Sequence, residues 1–192
     1  VVPRLIERIQ AGAGDWSMPW RHTGNAWPVN AATGKTYQGG NVIAMWLAAA
    51  APRSGEQVVH IGAGVGYYTA ILAELVGPQG RVTAIEHEPR LAARARANLA
   101  HLPNVTVLQG DGAAMPLDPA DIIYVNAGAT RPVDAWLDAL KEGGRLACLY
   151  GRGPAGRAML CRVFQGDVSG RPIFDAAAEV LPGFAAPEMF VF

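Results

Sequence analysis

From Gln57 onward the chain predicts an α/β fold: a doubly wound, mostly parallel sheet, closed by an antiparallel C-terminal strand pair and preceded by a short tryptophan-rich N-terminal segment. Three observations predict it. Short β-branched apolar runs alternate with helix-patterned ones across brief links, the order that lays parallel strands side by side under helices on both faces. The first such run leads at once into three alternating glycines, Gly62, Gly64 and Gly66. Beyond Tyr150 two further strand-like runs are joined by a Gly/Asp/Ser turn and not by a helix.

Val58–Ile61 is short and wholly apolar apart from His60, as a strand buried on both faces should be. Tyr68–Val76 carries Ile71, Leu72, Leu75 and Val76 at helical spacing, and Gly77-Pro78 stops it. Arg81–Glu86 is a second strand. Pro89–Leu102 reads as a helix with Leu91, Ala95 and Leu99 on one stripe and Arg94 opposite. Val105–Leu108 and Asp121–Val125 are the third and fourth strands. A helix is expected from Pro132, tolerated in a first turn, to the Gly143-Gly144 pair, followed by a fifth strand over Arg145–Tyr150. Ala158–Phe164 and Ile173–Val180 form the closing pair.

Residues 1–54 stand apart from this pattern and are expected to form a separate segment, leaving residues 55–192 as the main domain. Trp16, Trp20, Trp27 and Trp46 lie there amid Gly, Asn, Pro and Thr, and its net charge of +3 contrasts with −3 in the remainder. The boundary falls at the turn Pro52-Arg53-Ser54-Gly55.

With 51% hydrophobic residues and only 17% charged, the chain can bury a substantial core. Sixteen basic residues balance sixteen acidic ones, so no overall field draws it to nucleic acid or a membrane surface. The longest apolar run, Val42 to Ala51, ends at Pro52 and is half the about 20 residues a bilayer requires. The chain opens without a basic-then-apolar export signal, and a soluble cytoplasmic protein is expected. Cys148 and Cys161 have no companion that completes a metal site, so no metal is expected and two free thiols are.

In open parallel sheets the ligand crevice lies at the carboxyl ends of the strands, which directs attention to the glycine triplet. A dinucleotide fingerprint is G-x-G-x-x-G; here the sixth position is Tyr67, whose ring would crowd a pyrophosphate at the helix start. Gly34-Lys35-Thr36 imitates the end of a triphosphate loop, but Val29 stands where its upstream glycine belongs. His87-Glu88 begins like a zinc helix, yet Leu91 occupies the position of the second histidine. A phosphate-free ligand with a nucleoside at one end and an amino acid at the other meets these constraints, and S-adenosyl-L-methionine is such a molecule. Its amino-acid end needs exposed backbone groups near a helix start. Its ribose needs a carboxylate, and Glu86 ends the second strand. Its adenine needs an edge partner, and Asp111-Gly112 follow the third.

The stretch VVHIGAGVGYYTAILAELVGPQGRVTAIEHEPRLAARARANL, followed by NVTVLQGDGAAMPL, DIIYVNAGAT and LKEGGRLACLYG, resembles class I S-adenosylmethionine-dependent methyltransferases of Rossmann-like fold, and within them the protein-L-isoaspartate O-methyltransferase group. The resemblance implies cofactor contacts from Gly62, Ala63, Gly64, Gly66 and Tyr67, ribose binding by Glu86, and adenine contacts at Asp111 and Gly112. Asn126 would sit beside the methyl group. His87 is a candidate for the adenine pocket, and Tyr68 and Thr130 for the channel of the methyl acceptor. In that group a Ser/Thr-rich stretch with a proline precedes the first strand and helps bind the isoaspartyl substrate; here the place holds GGNVIAMWLAAAAPRSGEQ. The acceptor therefore stays open between a carboxylate on a protein and one on a small molecule. No single side chain is assigned as catalytic, because an ionised carboxylate needs no general base.

Residues 1–48, with WSMPW and YQGGNV as their most specific parts, are similar to the start of the N-terminal domain of ArdC-type antirestriction proteins. That resemblance implies single-stranded DNA as a partner through residues 16–46, where tryptophans beside Arg21, His22 and Lys35 form a stacking surface. The alternative to an active methyltransferase is accordingly a DNA-binding module fused to an inactive one.

Overall fold

The computed structural model describes residues 46–130, 133–150 and 157–175. The described residues form one seven-stranded sheet with the order β3-β2-β1-β4-β5-β6-β7. The strands are β1 (Gln57–Ile61), β2 (Arg81–Glu86), β3 (Val105–Gln109), β4 (Ala120–Ala129), β5 (Leu140–Tyr150), β6 (Arg157–Phe164) and β7 (Asp167–Asp175). The first five run parallel, β6 is antiparallel to β5, and β7 is antiparallel to β6. The helices are α1 (Tyr67–Val76), α2 (Pro89–Leu99) and α3 (Asp134–Asp138). The doubly wound fold with its antiparallel closing pair is thus present.

Two-residue periodicity in the strands sorts side chains into two apolar layers. Val58, Ile122, Tyr124, Ala147 and Leu149 face Ile71, Leu72 and Val76 of α1. Val59, Ile61, Ile123, Val125, Leu146 and Cys148 face Trp136 of α3. Each Ile or Leu side chain so buried contributes about 1.5–3 kcal/mol.

Of the segment expected to stand apart, residues 46–54 are described. Residues 46–50 are helical, and Trp46, Leu47 and Ala50 are buried in the layer over α1. Trp46 packs against Tyr124 and edge-on against Phe174, with ring centroids 5.2 and 6.1 Å apart. Arg145 secures the end of this helical turn. Its Nε donates to the Ala50 carbonyl at 2.7 Å and its Nη2 to the Ala51 carbonyl at 3.1 Å and Glu56 Oε2 at 2.6 Å. A cation there satisfies terminal carbonyls that no helical amide reaches. The proposed DNA surface over residues 16–45 lies outside the described residues; Trp46, its last member, is in the core and presents no face to a base.

Several expected boundaries move. The helix expected from Pro132 to Gly143-Gly144 is only Asp134–Asp138, and the fifth strand begins at Leu140. The glycine pair lies inside that strand, where the register against β4 jumps from Ala120↔Leu140 to Ile122↔Arg145. Gly143 takes φ +74°, and a Cβ on Gly144 would stand 2.6 Å from the Lys141 carbonyl oxygen, so the pair serves a bulge and not a helix stop. The seventh strand spans Asp167–Asp175 in place of Ile173–Val180, whose residues beyond 175 are outside the described ones. Its hairpin closes on Gln165-Gly166, both at positive φ (53° and 82°), the conformation that matches strand twist in two-residue hairpins. Asp167, Ser169 and Gly170 read as turn residues, but an edge strand exposed to water accepts them. The second helix ends at Leu99, three residues before the expected Leu102.

Candidate cofactor site

The strand order reverses between β1 and β4, so the chain leaves these neighbouring tips in opposite directions and opens a crevice. Gly62, Ala63, Gly64 and Gly66 form the turn from β1 into α1. All three glycines adopt left-handed backbone, with φ of 76°, 56° and 92°, which other residues take only with strain. Their surroundings differ. A Cβ on Gly62 would lie 3.3 Å from the Asn126 carbonyl oxygen, and one on Gly66 would lie 2.6 Å from Leu99 Cδ1 of α2. At Gly64 it would meet nothing within 4 Å. The outer two glycines therefore seat the loop against β4 and α2, and the middle one faces open space.

Glu86, at the tip of β2, is 8% exposed, and its two carboxylate oxygens accept separate backbone amides. Oε2 takes the Gly64 amide at 2.7 Å and Oε1 the Glu88 amide at 2.9 Å. Each oxygen retains a second lone pair for a hydroxyl donor. The same arrangement disfavours phosphate, since the Gly64 amide is already engaged and a fixed negative charge sits under the loop. From behind, Asn98 Nδ2 donates to the Val65 carbonyl at 2.9 Å. Gly66 is the N-cap of α1 and offers no side chain, so no cap side chain takes the first-turn amides.

The segment after β3 is tied to the same corner. Gly110 donates its amide to the Glu86 carbonyl at 2.9 Å. Asp111 Oδ1 accepts the Ala113 amide at 2.9 Å, and the Asp111 carbonyl accepts the amides of Ala114 and Met115, so residues 111–115 wind into a capped turn. Gly112 is buried: a Cβ there would lie 2.5 Å from Ile61 Cγ2, and its carbonyl accepts the Trp136 indole N–H at 2.7 Å.

Asn126 is the exposed residue of an otherwise buried stretch of β4. It lies where the register against β5 slips between Tyr124↔Ala147 and Gly128↔Leu149. This bulge prolongs β4 past the expected end at Val125 and turns Asn126 out at the crevice. Tyr67 is 45% exposed and packs edge-to-face on half-buried Tyr68, with ring centroids 5.3 Å apart. His87 is exposed, and its carbonyl accepts Gln109 Nε2 at 3.2 Å. Thr130 follows the end of β4, half-buried. Among the expected residues, the contacts above bring together Gly62 with Asn126, Gly64 with Glu86, and Gly112 with the tip of β1. Among the described residues, the side chains of His87, Tyr67 and Tyr68 make no hydrogen bond with that group. No local pattern marks Asn98 or Trp136; their partners lie far away in the chain.

His60 is fully buried beneath the loop. Its Nδ1 shares a 2.8 Å hydrogen bond with Thr69 Oγ1, and its Nε2 has no partner among the described residues. Burial lowers its pKa to about 3, so the ring is neutral at physiological pH. Among the described residues no cluster of His, Cys, Asp or Glu could hold a metal, and no helix is long and apolar enough to cross a membrane.

Comparison with known proteins adds to this geometry. Residues 22–165 match the model of the protein-L-isoaspartate(D-aspartate) O-methyltransferase family. The protein-L-isoaspartate O-methyltransferase of Ignicoccus hospitalis is 45% identical over 121 residues, covering 61% of this chain and 57% of that protein. The one from Aeropyrum pernix is 37% identical over 156 residues, covering 77% and 60%. The chain thus spans less than two thirds of these relatives' length. Among solved structures, a protein-L-isoaspartate O-methyltransferase superposes with a TM-score of 0.72 at 21% identity, over 96% of this chain and 67% of the other. A beta-aspartate methyltransferase structure from Plasmodium falciparum, in complex with S-adenosyl-L-homocysteine, gives 0.68 at 18% identity over 78% and 77%. At such identities these structures speak for the fold, and the family match runs through every loop of the crevice from Gly62 to Thr130. The chain belongs to the protein-L-isoaspartate(D-aspartate) O-methyltransferase family.

Proposed function

We propose that the chain is an S-adenosylmethionine-dependent methyltransferase that esterifies a carboxylate on a protein, of the L-isoaspartyl kind. The observation that carries the cofactor reading is the Glu86 carboxylate holding the Gly64 amide at 2.7 Å, with the open face of the glycine loop beside it. Its remaining lone pairs suit a vicinal diol, and its charge rejects a phosphate. The first-turn amides of α1 suit the cofactor carboxylate, and Asp111 with Gly112 suits the adenine edge. Asn126, turned out by the β4 bulge, is assigned to the methyl end. The family match and the curated relatives support protein isoaspartyl carboxylate as acceptor.

When bound, the cofactor supplies an electrophilic methyl group, which an ionised carboxylate accepts without losing a proton. The protein's own task is then orientation and exclusion of water. Consistent with that task, the crevice is built from backbone amides and fixed carboxylates, and the neutral imidazole of His60 lies beneath it in the core.

The test is calorimetry with S-adenosylhomocysteine, followed by transfer of labelled methyl to an isoaspartyl peptide and its aspartyl counterpart. Binding with transfer to the isoaspartyl peptide alone is expected. Absence of binding overturns the cofactor reading. Binding with transfer to neither peptide overturns the acceptor and leaves the cofactor standing.

A further inference from the structure

We propose that Trp136 is a positioning residue for base recognition: its indole N–H fixes the 111–115 turn so that Asp111 reads the amino edge of adenine. The inference rests on the cofactor reading above.

Trp136 is fully buried in the layer formed by Val59, Ile61, Ile85, Ile123 and Leu146. An indole N–H in such surroundings needs an acceptor, and it finds the Gly112 carbonyl at 2.7 Å. The need is mutual. The backbone bonds of the turn use the Asp111 carbonyl, and among the described residues Gly112 O has Trp136 as its partner. Gly112 itself is packed so closely on Ile61 that a Cβ would lie 2.5 Å from its Cγ2, so packing holds the residue on one side and the indole holds its carbonyl on the other.

The orientation decides which groups of Asp111 meet a ligand. Oδ1 is engaged by the Ala113 amide, whereas Oδ2 has no hydrogen-bond partner among the described residues. A free carboxylate oxygen accepts from an exocyclic amino group and repels a carbonyl in the same place. Adenine carries the amino group, and hypoxanthine carries the carbonyl.

The experiment compares S-adenosylhomocysteine with S-inosylhomocysteine by calorimetry on the full chain. The variants are Trp136→Phe and the replacement of Trp136 by 3-benzothienylalanine, which keeps the shape of indole and lacks the N–H. The unaltered protein is expected to prefer the adenosyl ligand by roughly tenfold or more, the worth of one charge-assisted hydrogen bond. In both variants that ratio falls toward one while affinity for the inosyl ligand stays within about twofold, as expected when the loss is confined to one contact. If Trp136→Phe does not fold, the benzothienyl protein decides. Equal weakening of both ligands assigns Trp136 a purely structural role and overturns the proposal, as does an unchanged ratio. Tight adenosyl binding without preference in the unaltered protein also overturns it, with the cofactor reading intact. Failure to bind either ligand removes the cofactor reading and this inference together.

Discussion

The carboxylate of Glu86 accepts the amide of Gly64 at 2.7 Å, joining the tip of β2 to the open centre of the glycine loop. One side chain thereby holds the loop in its left-handed path and keeps a second lone pair on each oxygen.

Replacing Glu86 by Gln is expected to weaken S-adenosylhomocysteine binding by about 30- to 100-fold, because charge-assisted bonds to amide and hydroxyl are lost together. Calorimetry measures this directly, and affinity within threefold of the unaltered protein would falsify the assignment of the ribose.

Gly64→Ala and Gly66→Ala separate binding from packing. At Gly64 the added methyl enters open space, so stability drops by only about 1–2 kcal/mol from the positive φ, while ligand affinity is lost. At Gly66 the methyl collides with Leu99 2.6 Å away, and the melting temperature falls further than at Gly64. Thermal melts with and without S-adenosylhomocysteine distinguish the two; equal melting temperatures would contradict the packing roles.

Arg145→Met leaves the largely buried Glu56 carboxylate with the Arg53 amide but without its cation, and frees the carbonyls of Ala50 and Ala51. A loss of about 3–5 kcal/mol is expected in urea unfolding, and the double variant Arg145→Met/Glu56→Leu should regain part of it. No recovery in the double variant would mean that the carbonyl contacts, and not the ion pair, dominate.

His60 gives stability a pH dependence of defined sign. Its folded pKa of about 3 lies below the ordinary 6.5 because burial opposes the imidazolium, so the unfolded chain takes up a proton first. The neutral ring's contribution is complete above pH 6.5 and is lost as pH falls toward 3, by about 1 kcal/mol per unit. In His60→Gln that component of the slope should vanish. A His60 ring resonance that titrates between pH 5 and 7 in the folded protein would contradict this account.

Burial pushes the Cys148 thiol up to about 12 and raises that of Cys161, the charge of Cys161 adding to the effect on Cys148. Neither should react with iodoacetamide at pH 8 until denaturant is added, since the thiolate is the nucleophile. Mass spectrometry of the native protein after alkylation provides the check.

The strands from Gln57 to Gln109 and the helices between them were readable because their signals are short-range: an apolar run, a 3.6-residue stripe, a glycine after the last turn. Where a glycine had two uses, local reading failed. Gly143-Gly144 looks like a helix stop and serves a strand bulge, and Gly166 closes a hairpin earlier than the polar run after it suggests. The crevice divides in the same way. Gly62, Gly64, Gly66 and Glu86 announce themselves by spacing, whereas Asn98 and Trp136 meet their partners, the Val65 and Gly112 carbonyls, across 33 and 24 residues.

By itself, then, the order of residues determined which stretches become strand or helix and where a glycine loop meets a carboxylate, because those are properties of a few neighbours along the chain. Only the folded arrangement decided that Arg145 would fasten the turn at Ala50 and Ala51, that Asn126 would be turned outward, and that an indole would support Gly112. Hydrogen bonds and bulges of that kind depend on which distant segments approach and at what register, and pairing across a sheet carries no repeat within either strand to reveal it.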